Sequence, residues 1–309
     1  MSLYRPNPPP MRDGVGASCV VVPAGTWSNV LEFLKAHFDK VPAALWDERL
    51  VRGDVTDDQG CQVRPEQPIL PGQRLYYFRS LATETPIPFE AKVLWQDDHL
   101  LVIDKPHFLP VVPSGKYLQE TVLVRLKRAM GLEDLSPLHR IDRDTAGLVL
   151  FSMQRTSRAA YHELFRTRQM HKTYEAIAPW SPALQWPITR ESRIEPAQHF
   201  MQQREVAGAP NSLTHIDVME FSEPLARYWL RPITGLRHQL RVHMAALGLP
   251  LVHDGIYPTL TPEGSNNFTK PLQLLARSLS FTDPLTGEHR EFRSERSLRS
   301  LEELAATAP

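Results

Sequence analysis

Four apolar residues in a row, Leu148-Val-Leu-Phe151, follow directly on the stretch Pro137-Leu-His-Arg-Ile-Asp-Arg-Asp-Thr-Ala-Gly147. A short apolar run behind a loop rich in turn formers reads as a buried strand. A strand buried in this way needs strands beside it and cover over its faces, so the chain must build a sheet around it. Rigid strands also hold the loops on which functional groups tend to sit. The loop here sets one carboxylate, Asp142, among His139, Arg140 and Arg143.

Other segments supply the sheet. Val93-Leu-Trp95 and Leu100-Leu-Val-Ile103 flank the turn formers Gln96-Asp-Asp-His99 and read as a hairpin. Lys172 to Ala178 alternates as a strand, and Val218–Phe221 and Ala226–Ile233 read as two more. Leu279–Phe281 and Glu288–Phe292 form a last hairpin across Asp283-Pro-Leu-Thr-Gly287. Residues 181–212 lack periodicity and are expected to form an insertion or a loose hairpin. Helices are predicted over Val122–Met130, over a segment capped by Thr156 or Ser157, over Leu236–Leu247 closed by Gly248, and in the tail after Arg293.

The first ninety residues read separately. Residues 1–16, rich in Pro and Gly, are expected to be disordered or extended. Residues 17–80 show two helical patterns followed by short strands with a Pro71-Gly72 turn, and resemble a degenerate S4-like RNA-binding module. Residues 81–92 read as a linker, and 93–309 as the main domain. The first ninety residues hold nine Lys/Arg against eleven Asp/Glu, a net −2, so any RNA contact there would fall to a few residues such as Arg49 and Arg52.

Composition bounds the function classes. Net charge is +0 and the hydrophobic fraction 42%, an ordinary globular balance. No uncharged apolar run reaches the ~18 residues that span a bilayer. The N-terminus lacks an apolar signal core. Cys19 and Cys61 have no metal-like spacing and read as free thiols. A cytoplasmic chain follows, with no membrane association, no evident protein partner and a monomeric state. Residues 121–174 carry ten Lys/Arg against five Asp/Glu, a local +5 that fits a polyanion.

The predicted helix after Gly235 carries Arg237, His238 and Arg241, with Arg237 and Arg241 four apart on one face. Such a face can pair with a carboxylate or with phosphate. Pairing would keep Asp142 ionised and able to act as a nucleophile. A purely structural Asp–Arg pair remains open on residue types alone. His139-Arg-Ile-Asp142 is not a kinase loop, because the Asn, the glycine-rich loop and Asp-Phe-Gly are missing. His238 and His243 are five apart and would not share a face as a zinc pair. No Walker loop, dinucleotide fingerprint or serine elbow occurs.

Together these stretches resemble the RluA family of RNA pseudouridine synthases. Leu101-Val-Ile-Asp-Lys105-Pro106 resembles its first motif. Leu138-His-Arg-Ile-Asp142-Arg-Asp-Thr-Ala-Gly-Leu148 resembles its His-Arg-Leu-Asp signature. Lys172-Thr-Tyr174-Glu-Ala176 resembles its Lys-x-Tyr-x-Ala strand, and Thr234-Gly-Leu-Arg237-His-Gln-Leu-Arg241-Val-His243 its Thr-Gly-Arg-Thr-His-Gln-Ile-Arg-Val-His element. All four stand in family order within residues 93–292.

The resemblance implies an α+β fold: a large mixed, mainly antiparallel sheet with flanking helices, plus the small N-terminal α+β module. It implies an isomerase that needs no cofactor or metal and acts on structured rRNA or tRNA. Asp142 would be the nucleophile, Tyr174 would stack on the uracil, and Arg241 would pair with Asp142. Arg140 would fill the gap left by a flipped uridine. Arg237, His238 and Lys105 would complete the RNA-contacting face, with His139 and Arg143 assigned to it without an individual role. The alternative is a catalytically silent RNA-binding or ribosome-assembly factor with the same fold. The chain departs from the family at His253 and Pro258, where Gly-Asp-x-x-Tyr-Gly is usual. It departs again at Gln273–Arg277, in place of Leu-His-Ala, and at Phe108, where Gly is common.

Overall fold

The computed structural model describes residues 9–81, 83–261 and 267–306. The chain divides into two compact units. One comprises residues 1–85, 113–120 and 124–133; the other comprises 86–112, 121–123 and 134–309.

The smaller unit is an α+β module. Strand β1 (Ser18–Val21) precedes helices α1 (Val30–His37) and α2 (Ala43–Val51), then β2 (Val55–Thr56) and β3 (Arg74–Tyr77). The three strands pair antiparallel in the order β1-β3-β2. Helix α1 starts where Asn29 accepts the Glu32 N–H at 2.9 Å, while Glu32 takes the Ser28 N–H at 2.7 Å. This reciprocal cap satisfies donors the first turn would leave open. Val30, Phe33 and Leu34 then bury at helical spacing with Trp46, Leu50, Val55 and Leu75. Before β1, Arg12 and Val15 form an isolated β-bridge, and Val15 is buried. The expectation for residues 1–8 lies outside the described residues. Arg49 does not project as an RNA contact: it is buried, with its guanidinium 4.8 Å from the Trp46 ring. Arg52 pairs with Asp54 at 3.2 Å.

The larger unit is built on one eleven-stranded sheet. In chain order its elements begin β4 (Lys92–Gln96), β5 (Leu100–Lys105), β6 (Ser136–Pro137), β7 (Ala146–Ser152), α4 (Arg155–Arg166) and β8 (His171–Pro179); helix α3 (Val122–Met130), between β5 and β6, crosses the unit division. Then come β9 (Ile188–Pro196), β10 (Gln203–Val206), β11 (Ser212–Ser222), β12 (Leu225–Pro232) and α5 (Gln239–Ala246). Strands β13 (Leu274–Thr282) and β14 (His289–Arg293) and helix α6 (Leu301–Ala306) complete it. The strand order is β10-β9-β11-β12-β8-β13-β7-β5-β4, with β14 on β13 and β6 on β7. The pair β13–β7 is parallel and the rest are antiparallel, so the sheet is mixed but mainly antiparallel.

Every residue of β5 and β7 is buried, as their unbroken apolar runs require. Leu100, Val102, Leu148 and Leu150 pack with Tyr161 and Leu164 of α4. On the other half, Ala176, Tyr228 and Leu230 pack with Leu240 and Met244 of α5.

Three local expectations are corrected. Helix α4 starts at Arg155 after Gln154, so Thr156 and Ser157 lie inside it rather than capping it. Residues 188–206 form a regular hairpin, β9–β10, that extends the main sheet. Helix α5 starts at Gln239, three residues later than its apolar spacing suggested. His238 stands at φ 57°, in the left-handed region a helix cannot contain. The Gln239 side chain ties the preceding turn: its Oε1 accepts from Leu236 N and Thr234 Oγ1, and its Nε2 donates to Leu213 O.

Among the described residues no helix is long and apolar enough to cross a membrane.

Candidate active site

The loop between β6 and β7 carries Asp142, and backbone bonds shape it. Leu138 N donates to Leu150 O at 2.8 Å, and Thr145 N to Asp142 O at 3.2 Å. Arg241, on α5, donates from Nη1 to Asp142 Oδ2 at 3.0 Å. Arg241 is 2% exposed and does not act alone. Its other edge grips Asp254 bidentately, Nε to Oδ2 at 2.8 Å and Nη2 to Oδ1 at 2.6 Å. Asp254 Oδ1 also accepts the Ile256 and Tyr257 N–H groups at 2.8 and 3.0 Å. A buried guanidinium between two carboxylates is thus fixed in direction.

The electrostatics follow from this geometry. Burial alone would push the Asp142 carboxyl up. The Arg241 charge, the nearby His238, the hydrogen bond from Arg241 and the Lys105 charge outweigh it and hold Asp142 below the usual carboxylate range. Burial likewise lowers Arg241, but the Asp254 hydrogen bond and the Asp254 and Asp142 charges raise it well above its ordinary value. Both groups are therefore charged at neutral pH.

Tyr174 of β8 is half-buried against the cluster that joins β8, β12 and α5. Burial first, and the Asp142 charge second, push its phenol far above the usual range. Tyr174 is thus a neutral hydroxyl close to an ionised carboxylate.

His238 enters the same cluster. Its Nε2 is 3.8 Å from Asp142 Oδ1. Gln203 N–H donates to the Tyr257 hydroxyl oxygen at 2.7 Å, and the Tyr257 hydroxyl lies 3.0 Å from His238 Nδ1. When the Tyr257 hydroxyl donates its proton to Nδ1, the His238 proton sits on Nε2, facing Asp142. Burial brings His238 down to about 4, so the ring is neutral.

Residues 99–246 match the RNA pseudouridylate synthase family. The chain is 32% identical over 210 residues to the dual-specificity RNA pseudouridine synthase RluA of Escherichia coli K12, covering 65% of this chain and 91% of that protein. It is 31% identical over 248 residues to an uncharacterized RNA pseudouridine synthase of Synechocystis, covering 74% and 79%. The chain belongs to the RluA family of RNA pseudouridine synthases. Human RNA pseudouridylate synthase domain containing 4 shares the fold at a TM-score of 0.52 and 26% identity, over 67% of this chain and 88% of that one. Human RNA pseudouridylate synthase domain containing 1 superposes at a TM-score of 0.55 over 72% and 96%, and at 21% identity that likeness concerns the fold alone.

Within this synthase fold the remaining expected site residues separate. Lys105 is not on a surface that RNA can reach. It is 0% exposed, and its Nζ donates to the carbonyls of Pro106, Leu109 and Arg143 at 2.8 to 2.9 Å. All three ammonium donors are used, so Lys105 staples the β5 exit to the Asp142 loop; burial lowers it to about 7. His139 is not a cation. Its Nε2 accepts the Leu150 N–H at 3.1 Å, its ring packs on Phe165, and burial takes it to about 3. Arg143 pairs with Asp144 at 2.8 Å. His238 faces Asp142 rather than solvent.

Arg237 and Arg241 do not share a helix face. Arg237 precedes α5, is exposed, and donates to the carbonyls of Phe200 and Met201 at 3.0 and 3.3 Å. Helix α5 is buried from Gln239 to Met244 and presents no cationic face to solvent. Arg140 is exposed, and among the described residues its side chain has no hydrogen bond or ion pair.

Sequence reasoning missed Asp254 and Tyr257, which direct Arg241 and His238. Their signal was the Asp and the Tyr of the Gly-Asp-x-x-Tyr-Gly element, where attention went to the missing glycines. Two of the departures adopt glycine-like backbone, His253 at φ 62° and Phe108 at φ 68°, whereas Pro258 does not. Non-glycine residues thus hold the left-handed conformation at these two positions. Arg277 grips Glu175 bidentately, at 2.5 and 2.9 Å, and also binds the carbonyls of Ser294 and Arg296.

Proposed function

We propose that this chain isomerises uridine to pseudouridine in structured rRNA or tRNA, in the cytoplasm and as a monomer, with Asp142 as the nucleophile. The observation that carries this reading is the Asp254–Arg241–Asp142 array, which holds one reachable carboxylate ionised and aimed. Asp142 attacks either the uracil ring or the ribose anomeric carbon. The bond between carbon 1′ and nitrogen 1 breaks, the base turns, and a bond from carbon 1′ to carbon 5 replaces it. The Asp142 adduct breaks to return the free carboxylate, carbon 5 gives up its proton and nitrogen 1 takes one up, so the atoms balance without any second reactant. Tyr174, kept protonated, stacks on the uracil and serves the departing proton as a hydrogen-bonding relay rather than as a phenolate. Arg140, exposed beside Asp142, fills the gap that the flipped nucleotide leaves in its stem. The domain boundaries belong to the same reading: residues 17–80 form an accessory module and 93–309 the catalytic domain.

The test is tritium release from carbon-5-labelled RNA taken from cells that lack the gene. Wild-type protein releases tritium. Asp142→Asn removes the negative charge at constant shape and abolishes release, while RNA binding survives. Release by the variant at the wild-type rate would refute the assignment of Asp142. Absence of release by the wild-type protein would favour the catalytically silent RNA-binding factor.

A further inference from the structure

Lys172 is a cation of the site region for which, among the described residues, the fold supplies no counter-charge. It lies on β8 two residues before Tyr174, so the two side chains leave the same face of the strand. It is partly buried. Among the described residues its ammonium has no hydrogen bond, ion pair or ring contact, and burial is the one influence that lowers it from the ordinary lysine value. Amines taken out of bulk water normally find a carboxylate or several carbonyls, as Lys105 does in this same unit.

Two flanking elements mark where the ammonium stands. A Cβ built on Gly235, in the turn before His238 and Arg241, would lie 3.6 Å from Lys172 Nζ, with nothing else within 4 Å. On the Asp142 loop, the Lys172 charge is felt by His139, two residues from exposed Arg140's other neighbour Ile141 and three from Asp142. The amine thus sits between the loop that carries Asp142 and the turn that leads to Arg241. A glycine on one side leaves the approach open. His139, on the other side, is neutral and accepts a backbone N–H, so it cannot serve as the missing anion.

We propose that Lys172 is a phosphate-binding residue whose ammonium takes a backbone phosphodiester next to the flipped uridine and seats the RNA strand against the mouth that holds Asp142 and Tyr174. The proposal rests on the pseudouridine synthase reading, but it is tested by binding as well as by turnover. A single charge-assisted contact of this kind is worth about tenfold in affinity, and losing it removes about one from the slope of log affinity against log salt.

The probe is total RNA from cells that lack the gene, with full-length protein. Lys172→Met is expected to raise both Kd and KM about tenfold, flatten the salt slope by about one, and leave kcat within twofold. Lys172→Arg should recover most of the affinity. Lys172→Met with unchanged affinity and slope overturns the proposal, and so does a lost kcat at unchanged Kd. A second measurement needs no variant of Lys172. In reductively 13C-methylated protein bearing Asp142→Asn, the titration midpoint of Lys172 should rise when the RNA is added and stay put with equal phosphate as the inorganic ion. A midpoint that ignores RNA, or that moves with inorganic phosphate alone, overturns it. Failure of tritium release by wild-type protein, with the binding effects intact, would instead strike the functional reading on which this one rests.

Discussion

At the scale of single residues, the site depends on a second, enclosed carboxylate, that of Asp254, paired with Arg241. Asp254 occupies one edge of the Arg241 guanidinium, through Nε and Nη2, and leaves Nη1 for Asp142. Asp254→Asn keeps the shape and loses the charge, so Arg241 can turn and Asp142 loses its fixed partner. Breaking a buried pair in this way costs about 3 kcal/mol or more, to be read from urea unfolding. The same variant should lower kcat by on the order of a hundredfold. It should also raise the acid limb of the kcat/KM profile, because Asp142 is held low chiefly by Arg241. An unchanged acid limb would show that Asp254 does not act through Asp142. The sequence made Asp142, Tyr174 and Arg241 legible as candidates because each sits in a dense, chemically distinctive motif. Burial was illegible: Lys105, His139 and His238 read as cations of a basic face, yet each is enclosed and bonded inward. Nothing in a local pattern of charges says which of them a sheet edge will cover.

At the scale of elements, the strand segments were legible from alternation and apolar runs, whereas their order was not. The start of α5 was misplaced because apolar spacing continues smoothly through Leu236, while a left-handed His238 interrupts the backbone. The junction of β7 with β13 holds the closest approach to a glycine among the described residues of the larger unit. Gly147 has φ 107°, and a Cβ there would come within 2.3 Å of the Ala276 carbonyl oxygen. Gly147→Ala combines that clash with backbone strain, and should cost about 3 kcal/mol or more. Thermal unfolding checks it: a variant with wild-type Tm would mean that the two strands can separate at no cost.

At the scale of the whole molecule, acid should unsettle the fold well before its carboxylates protonate. His107, His238 and His243 are brought down to about 4 and His139 to about 3, in each case first by burial. Their folded values lie below the unfolded value near 6.5, so the unfolded chain binds protons that the folded chain refuses. The stability they contribute is complete above about pH 6.5 and is lost as pH falls towards 4. Each fully refused proton costs ~1.4 kcal/mol per pH unit. His107 and His139 are only partly shielded and count for less than His238 and His243. Unfolding midpoints in urea between pH 7 and 4.5 test this. His243→Gln should flatten the decline, since His243 is enclosed by Ser192, Ser212 and Thr214 hydroxyls.

Strand β13 has a consequence for how the chain is made. It lies between β7 and β8, although some hundred residues separate it from either in the sequence. Until it arrives, the strands before it can form only two separate fragments: β4, β5 and β7 on one side, and β8 to β12 on the other. Asp142 stands on the first and Tyr174 on the second. A nascent chain emerging from the ribosome therefore holds both groups long before it holds them together. The pairing of Asp142 with Tyr174 comes into being late in synthesis, with the insertion of one strand as the closing step.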